Sequence, residues 1–283
     1  MPESNAKPTV SIVVPLHNEE GNVTELYAQL HCVMESTEWG YQFVFVDDDS
    51  TDVTYKSLRD LAAIDPRVTI VKLRRNFGQT AALAAGFAQC TGEYVVAMDG
   101  DLQHDPAEIP KFMAKLEEGY EVVSGWHKHR IDNLLLRKIP SRCANWLMAK
   151  LSGVEIHDFG TTFKAYRREL LFQLPLYGEM HRFIPALASG YGASICEIPI
   201  QNKHRKHGVS HYNLSRIFSV LFDLMTIRFL LRYMSRPLHL FGRLGLINIG
   251  AGSAVALWLL LGRSFTQPTF CSSTDCCWCS PLS

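Results

Sequence analysis

The sequence predicts an α/β protein in which a doubly wound, mostly parallel sheet is followed by a surface helix and one transmembrane helix. Three observations predict this fold class. Strand and helix periodicities alternate over the first 125 residues, polar or acidic clusters follow three of the strands, and 19 consecutive residues near the C-terminus carry no charge. The chain is 47% hydrophobic and 20% charged, as expected of a folded protein, and its net charge of zero gives no reason to expect nucleic acid as a partner.

The alternating pattern assigns each element of the sheet domain. The strand candidates are residues 10–14, which end at a proline, 42–46, 67–73, 94–98 and 120–125. The helix candidates are residues 23–34, 53–63 and 78–90, followed by a helix that begins at Asp105 and Pro106. Strands separated by helices favour a parallel sheet, and ligands of such sheets bind outside the carboxyl ends of the strands.

Three polar clusters are predicted to share that edge of the sheet. They comprise residues 15–19, 47–52 and 99–103, and each directly follows a strand candidate. The third cluster contains Asp99 and Asp101, separated only by Gly100. A glycine there allows the backbone to approach its neighbours closely.

Several uses are open to such a pair of carboxylates. They can share a proton, as in aspartic proteases, or act as acid and base on a glycosidic bond, although residues two apart flank a substrate poorly. They can hold a hard divalent cation that leaves positions open for phosphate oxygens, or they can form a solvated turn. The cation best explains the position of the pair at the edge of the sheet.

The last third of the chain predicts attachment to a membrane. Residues 213–236 are apolar but interrupted by charges, as in an amphipathic helix on a membrane surface, and residues 238–262 are long and apolar enough to span the bilayer. Eight Lys or Arg residues and one acid lie between Lys203 and Arg243, which favours a cytoplasmic location for the sheet domain. The expected division is therefore 1–212, 213–236, 238–262 and an atypical Cys-rich tail, 263–283, to which no function is assigned.

Six motifs occur in an order that resembles family 2 glycosyltransferases. They are "VVPLHNEEGNV" (13–23), "VDDDSTDVT" (46–54), "RNFGQTAALAAGF" (75–87), "GEYVVAMDGDLQHDP" (92–106), "HDFGTTFKAYRREL" (157–170) and "RKHGVSHY" (205–212). The closest resemblance is to the branch that transfers a sugar from a nucleotide to polyprenyl phosphate, such as dolichyl-phosphate mannose synthases and bacterial polyprenyl-phosphate glucosyltransferases. It covers roughly residues 9–262.

The resemblance implies a GT-A fold and assigns roles to individual residues. The implied nucleotide-sugar contacts are Pro15, His17, Glu19 and Asp48, together with Asp99 and Asp101. The implied ligands of Mg²⁺ or Mn²⁺ are Asp99, Asp101 and Gln103. The implied contacts to the acceptor phosphate are Arg130, Arg137 and Arg205, of which Arg137 is also implied in catalysis with the two aspartates.

The implied reaction is metal-dependent transfer of a hexose from a UDP- or GDP-linked donor to polyprenyl phosphate, with inversion, at the cytoplasmic face of the cell membrane. The resemblance also implies membrane lipids as partners, and it leaves open whether the protein forms a homo-oligomer. No general base is assigned, although Asp158 lies in a suggestive place. One alternative is a non-catalytic membrane module that binds lipid phosphate or a partner protein. A second is a phosphatase, which is less favoured because the paired acids of phosphatases usually follow the first strand, whereas Asp99 and Asp101 follow a later one.

Four positions depart from the family pattern: His17, Asp49, His127 and His211 stand where Tyr or Phe, Gly, Arg and Lys are expected. Asp49 in particular occupies a position where a non-glycine residue is strained if its φ is positive. Family members often carry two membrane helices, whereas this sequence offers one. These departures leave the predicted metal site intact and weaken the assigned phosphate contacts.

Overall fold

The computed structural model describes residues 9–127, 156–174, 180–201 and 237–265, with the isolated residues Leu176, Thr226 and Phe229. The chain divides into two compact units, Met1–Leu231 and Arg232–Ser283. The predicted amphipathic helix at residues 213–236 and the tail from residue 266 onward lie outside the described residues, apart from two isolated positions.

The first unit contains one seven-stranded sheet in the order β3-β2-β1-β4-β6-β5-β7. Its strands are β1 Thr9–Leu16, β2 Gly40–Asp47, β3 Val68–Lys72, β4 Tyr94–Ala97, β5 Val122–His127, β6 Lys164–Arg167 and β7 Ile195–Ile200. Its helices are α1 Val23–Glu35, α2 Thr54–Ile64, α3 Gln79–Phe87, α4 Ile109–Glu117, α5 Arg168–Gln173 and α6 Ile184–Gly190, with 3₁₀ turns at Pro106–Glu108 and Met180–Phe183.

All neighbouring strands run parallel except β6, which is antiparallel to both β4 and β5. The carboxyl ends of the other six strands and the amino end of β6 therefore meet at one edge, here named the carboxyl rim. The polar clusters after β1, β2 and β4 all lie at this rim, which confirms the predicted common edge.

Apolar side chains cover both faces of the sheet. Alternate residues of β1, such as Ile12 and Val14, pack into one buried cluster with α1 and α4, while Val13 packs into a second cluster with α3 and α6. Both faces of the sheet are buried, which is why β1, β2 and β4 are apolar at most positions, with Ser11 of β1 as a buried polar exception.

Most element boundaries differ slightly from the sequence prediction, and two of these differences have a local cause. Strand β1 continues through Pro15 to Leu16. The Val13 carbonyl accepts from Met98 N–H on the β4 side, so Pro15 also faces β4, but β4 ends at Ala97 opposite Val13. The missing proline N–H therefore costs no bond of the β1–β4 ladder. Helix α3 begins at Gln79, because Gly78 has a φ of 88°.

The second unit contains helix α7, Pro237–Phe265. Its segment Phe241–Leu261 has a mean hydropathy of 1.9, so it is long and apolar enough to cross a membrane, and none of it is buried. The Asn248 side-chain amide donates to the Leu244 carbonyl at 2.9 Å, which satisfies a polar group within the helix itself. The predicted apolar helix near the C-terminus is confirmed.

Candidate active site

The loops after β1 and β2 are joined at the carboxyl rim by hydrogen bonds. The His17 Nδ1–H donates to the Asp48 carbonyl at 2.8 Å. Asn18 accepts from the Thr51 N–H at 2.8 Å and donates its own N–H to Ser50 Oγ at 3.0 Å. Asn18 adopts a φ of 56°, which asparagine tolerates better than most residues. These loops, with the loop after β3, are named the β1–β2 half of the rim (residues 15–19, 47–54 and 73–78).

Asp48 organises this half with its carboxylate. The side chain is buried, and its two oxygens accept from the backbone N–H groups of Phe77 at 2.8 Å and Gly78 at 2.9 Å. Glu19 is held nearby, because its N–H donates to Thr54 Oγ1 at 2.9 Å and its carboxylate accepts from the Asn22 side chain. Three of the predicted nucleotide contacts, His17, Glu19 and Asp48, thus lie in one hydrogen-bonded structure.

Asp99 lies in the other half of the rim, which is named the β4–β7 half (residues 98–104, 156–164 and Glu197). Its Oδ1 accepts from Gln79 Nε2 at 2.6 Å, and its Oδ2 lies 3.5 Å from His104 Nε2. Burial raises the pKa of Asp99, but the hydrogen bond and charge of His104, with smaller contributions from His181 and Thr162, outweigh burial and lower it. Asp99 is therefore ionised at neutral pH, with 31% of its side chain exposed.

Asp101 lies in a tight turn after Asp99. Its side chain is buried, and Oδ1 accepts from the Gln103 N–H at 3.1 Å. Leu102, which lies between Asp101 and Gln103, has a φ of 60°. A Cβ at Gly100 would lie 2.2 Å from Leu16 Cδ2, so this turn packs directly against the end of β1. The close approach expected at Gly100 is confirmed.

The chemistry of these side chains fits a hard divalent cation that also binds phosphate. Among the described residues, no group of three or more His, Cys, Asp or Glu side chains is placed to hold a metal ion by itself. Mg²⁺ at phosphate-transfer sites typically uses one or two carboxylates and completes its shell with substrate phosphates and water. Asp99 and Asp101 can provide these two carboxylates.

A fully buried lysine lies beneath the segment 156–162. Lys164 Nζ donates to the carbonyls of Phe159, at 3.2 Å, and Thr161. Burial lowers the pKa of Lys164 to about 8, against the opposing charges of Asp158 and Asp99. Across the sheet, Lys164 pairs with Ser124 and Ser124 pairs with Glu197, so the three side chains form a polar row on one face.

Two further contacts connect α3 to this half of the rim. Gln79 Nε2 donates to Thr162 Oγ1 at 3.2 Å as well as to Asp99. Thr80 Oγ1 is hydrogen-bonded to His181 Nδ1 at 2.6 Å, and both groups are buried. The start of α3 therefore links Asp99 to the segment before β6, and α3 also contacts the 3₁₀ turn that precedes α6.

The structure brings together the predicted residues after β1, β2 and β4, while their individual roles stay predictions. Arg130, Arg137, Arg205 and His211 lie outside the described residues. Sequence reasoning did not single out five polar residues that the structure places at the site: Gln79, His104, Thr162, Lys164 and His181. The first four lie inside the motifs quoted above, and their place in those motifs could have identified them as candidates.

The profile of the family "Glycosyl transferase family 2" matches residues 11–174. The chain belongs to glycosyl transferase family 2. It is 44% identical over 262 residues to dodecaprenyl-phosphate galacturonate synthase of Rhizobium johnstonii, covering 91% of this chain and 76% of the relative. It is 36% identical to undecaprenyl-phosphate 4-deoxy-4-formamido-L-arabinose transferase of Pseudomonas fluorescens, covering 90% and 73%. The family 2 glycosyltransferase predicted from the motifs is confirmed, and the protein is a glycosyltransferase.

Solved structures show the same fold. Glucosyl-3-phosphoglycerate synthase from Mycobacterium tuberculosis, crystallised with Mn²⁺, uridine-diphosphate-glucose and phosphoglyceric acid, superposes on this family 2 glycosyltransferase with a TM-score of 0.59. The two share 20% sequence identity, with 79% of each chain covered. The predicted GT-A fold class is confirmed.

Proposed function

We propose that this glycosyltransferase transfers a sugar from a nucleotide sugar to polyprenyl phosphate at the cytoplasmic face of a membrane, with Mg²⁺ or Mn²⁺ bound at Asp99 and Asp101. The observation that carries the proposal is the Asp99 carboxylate, held by Gln79 and His104 two residues from Asp101, at the same rim as the joined loops after β1 and β2. The 44% identical relative is named for a dodecaprenyl-phosphate product, which supports a polyprenyl phosphate acceptor and makes a uronic acid one sugar to test.

The chain's own residues prepare the site for a charged donor. A bound Mg²⁺ or Mn²⁺ would supply positive charge that stabilises the departing nucleoside diphosphate. Gln79 and His104 hold the Asp99 carboxylate, and His104 lowers its pKa. In the β1–β2 half, Asp48 holds the 77–78 turn, and Pro15, His17 and Glu19 provide the proposed contacts to base and ribose.

The acceptor needs little help from a base. The second pKa of a phosphate monoester is about 6, so the acceptor is mostly a dianion near neutral pH and already a nucleophile. We therefore assign no general base. The proposed reaction is one displacement with inversion at the sugar carbon, in which basic residues orient the acceptor and offset its repulsion from the donor.

Attachment to the membrane is proposed through the C-terminal part of the chain. Helix α7 has the length and composition of a span, and the basic residues that precede it favour a cytoplasmic sheet domain. The proposed division is a catalytic domain at 1–212, a surface helix at 213–236, a span at 238–262 and the tail 263–283. Such attachment would keep the enzyme where a lipid-linked phosphate is found.

The test uses the full chain in detergent or vesicles with Mn²⁺, polyprenyl phosphate and a panel of labelled donors: UDP-hexoses, UDP-hexuronic acids and GDP-hexoses. We expect labelled lipid from at least one donor, and we expect its loss in Asp101→Asn and after addition of a chelator. Asp60→Asn is the matched control, because Asp60 is exposed on α2.

Two results would count against the proposal. Full activity of Asp101→Asn in the presence of chelator would remove the metal assignment. A protein that forms no labelled lipid with any donor, and shows no metal-dependent affinity for a nucleotide sugar, would instead fit the non-catalytic binding module.

A further inference from the structure

We propose that Lys164 is a positioning residue, which holds the 158–162 segment so that Thr162 and Gln79 orient Asp99 for its bound cation. This inference rests on the proposed function in one respect, the cation at Asp99. It adds a residue that acts on the site through other residues and makes no contact with the metal or the substrate itself.

The ammonium of Lys164 is directed at the backbone of this segment. Its Nζ donates to the carbonyls of Phe159, at 3.2 Å, and Thr161. Within the described part of the chain, its hydrogen-bond partners are these two carbonyls and not a carboxylate. Two of the three N–H groups of the ammonium therefore hold one short piece of backbone.

The burial of Lys164 is costly, which makes a role for it more informative. The side chain is 0% exposed, and removing an ammonium from water is unfavourable. Burial lowers the pKa of Lys164, and the charge of Arg182 lowers it further, against the opposing charges of Asp158, Asp99 and Glu197. A charge that the fold disfavours contributes little to stability, so this lysine is better explained by the segment that it holds.

The segment connects Lys164 to Asp99. Thr162 directly follows the second of the two carbonyls, and its Oγ1 accepts from Gln79 Nε2 at 3.2 Å. The same Nε2 donates to Asp99 Oδ1 at 2.6 Å, and Thr162 also contributes to lowering the pKa of Asp99. A displaced Thr162 would therefore disturb the hydrogen bonds that orient the Asp99 carboxylate.

The sheet makes this connection short. Lys164 is the first residue of β6, and it pairs with Ala97, the last residue of β4, two residues before Asp99. The other end of the segment is held by Glu197, whose carboxylate accepts from the Asp158 N–H at 3.1 Å. Residues around a metal ligand orient it and tune the affinity for the metal, so a segment held at both ends is a suitable support for Asp99.

The experiment measures Mn²⁺ binding without turnover. The full chain in detergent is titrated with Mn²⁺ in the presence of UDP, and in a second series GDP, while free Mn²⁺ is followed by electron paramagnetic resonance. Replacing a partner of a metal ligand weakens metal binding by about tenfold or more, so we expect Thr162→Val to raise the Kd for Mn²⁺ by about tenfold. Lys164→Met acts one step further away, and we expect a rise of about fivefold, the value of one net hydrogen bond.

The double variant Lys164→Met/Thr162→Val tests whether the two residues act through one connection. If they do, the Kd for Mn²⁺ rises about as much as in Thr162→Val alone, whereas independent effects would multiply to about fiftyfold. Lys164→Gln keeps a donor without the charge, so it should raise the Kd less than Lys164→Met. It also takes the place of Lys164→Met if that variant does not fold.

Tyr166→Phe is the matched control. Tyr166 lies on the same strand as Lys164 and is 1% exposed, so its substitution also removes a buried polar group from β6. It lies outside the 158–162 segment, and its variant should bind Mn²⁺ like the wild type. The free energy of unfolding of every variant is measured alongside, because a general loss of structure would weaken Mn²⁺ binding in the control as well.

The outcomes separate this inference from the proposed function. Weaker Mn²⁺ binding in the Lys164 and Thr162 variants, without multiplication in the double variant, supports the inference even if the wild type forms no lipid product, a result that contradicts the proposed function alone. Wild-type Mn²⁺ affinity in the Lys164 variants, multiplied effects in the double variant, or an equal rise in Tyr166→Phe overturns the inference and leaves the proposed function standing. A wild type that binds no Mn²⁺ overturns the inference and also removes the metal assignment.

Discussion

The two halves of the carboxyl rim hold their polar side chains in different ways. In the β1–β2 half the partners are mainly backbone groups: Asp48 accepts from two N–H groups and His17 donates to a carbonyl. In the β4–β7 half Asp101 and Lys164 also bond backbone groups, but Asp99 is held by two other side chains, Gln79 and His104. Backbone partners are present whatever the sequence, whereas side-chain partners must be supplied by particular residues.

The difference shows which half depends on long-range contacts. The partners in the β1–β2 half are about thirty residues apart, one β-α-β unit of chain. Gln79 and Thr162 are 83 residues apart, and Thr80 and His181 are 101 apart. These two long-range contacts attach α3 to the segments around β6 and α6, whereas Asp99 itself is held by residues closer in sequence, Gln79 and His104. We expect variants at the start of α3 to affect activity and pH dependence more than the local structure of one loop.

The largest expected effect comes from removing the carboxylate that organises the β1–β2 half. Asp48→Ala removes the buried carboxylate that accepts from the N–H groups of Phe77 and Gly78. Hydrogen bonds to charged groups contribute about 1.5 to 3 kcal/mol each, and residues 77 and 78 are partly exposed to water, so we expect the free energy of unfolding to fall by about 3 kcal/mol, the lower end for two such bonds. Urea denaturation in detergent measures it, with Asp60→Ala as control. A loss no greater than that of the control would show that the turn does not depend on Asp48.

The second effect is a pH dependence confined to the β4–β7 half. Burial lowers the pKa of Lys164 to about 8 in the folded protein, from 10.5 for the ordinary side chain. Between these values the unfolded chain binds more protons than the folded one, so stability rises with pH. The charged form is therefore disfavoured in the fold at pH 7, and this cost is relieved by up to about 3 kcal/mol as the pH approaches 10.5.

The test compares the wild type with Lys164→Met, which has a side chain of similar length and no charge. Unfolding is measured from pH 7 to pH 10.5, and the difference between the two proteins isolates Lys164 from the tyrosines and cysteines that also titrate there. We expect the wild type to gain stability relative to the variant as the pH rises. A difference in the free energy of unfolding that stays constant across this pH range would show that the pKa of Lys164 is not lowered in the folded protein.

The sequence could predict the β1–β2 half almost completely, because its elements are local. Strand and helix periodicity located β1 to β5 within a few residues, and the rule that ligands bind at the carboxyl ends of strands placed Asp48 and Asp99 at one edge. The antiparallel β6 between β4 and β5 was not predicted, since strand order depends on contacts over tens of residues. Lys164 was missed for the same reason: its burial becomes apparent only when the neighbours of β6 are known.

The third effect tests whether Asp99 depends on its side-chain partners. Gln79→Ala removes the 2.6 Å hydrogen bond to Asp99 Oδ1. We expect kcat to fall about tenfold, the value of one such contact, and the Mn²⁺ concentration for half-maximal activity to rise. Gln79→Glu should be worse, because a second negative charge beside Asp99 raises the pKa of that carboxyl.

The matched control is Gln29→Ala, which removes an equivalent amide–carboxylate bond, to Glu25 on α1 at 3.0 Å, away from the rim. It should leave both kinetic constants unchanged. If Gln79→Ala keeps the wild-type Mn²⁺ dependence, then Asp99 is oriented without Gln79, and the two halves of the rim are less different than their hydrogen bonds indicate.

The smallest expected effect concerns the backbone of the β1–β2 half. Asp49 has a φ of 59°, which confirms the positive φ considered from the sequence. Replacing it with glycine relieves the steric cost of that conformation but increases the entropy of the unfolded chain, and the two effects nearly cancel. We expect Asp49→Gly to change the free energy of unfolding by about 0.5 kcal/mol or less, whereas Asp49→Ala should lose about 1 kcal/mol. Thermal unfolding of both variants measures the difference. If alanine is tolerated as well as glycine, the loop relaxes around residue 49, and the backbone hydrogen bonds of this half do not hold a single conformation.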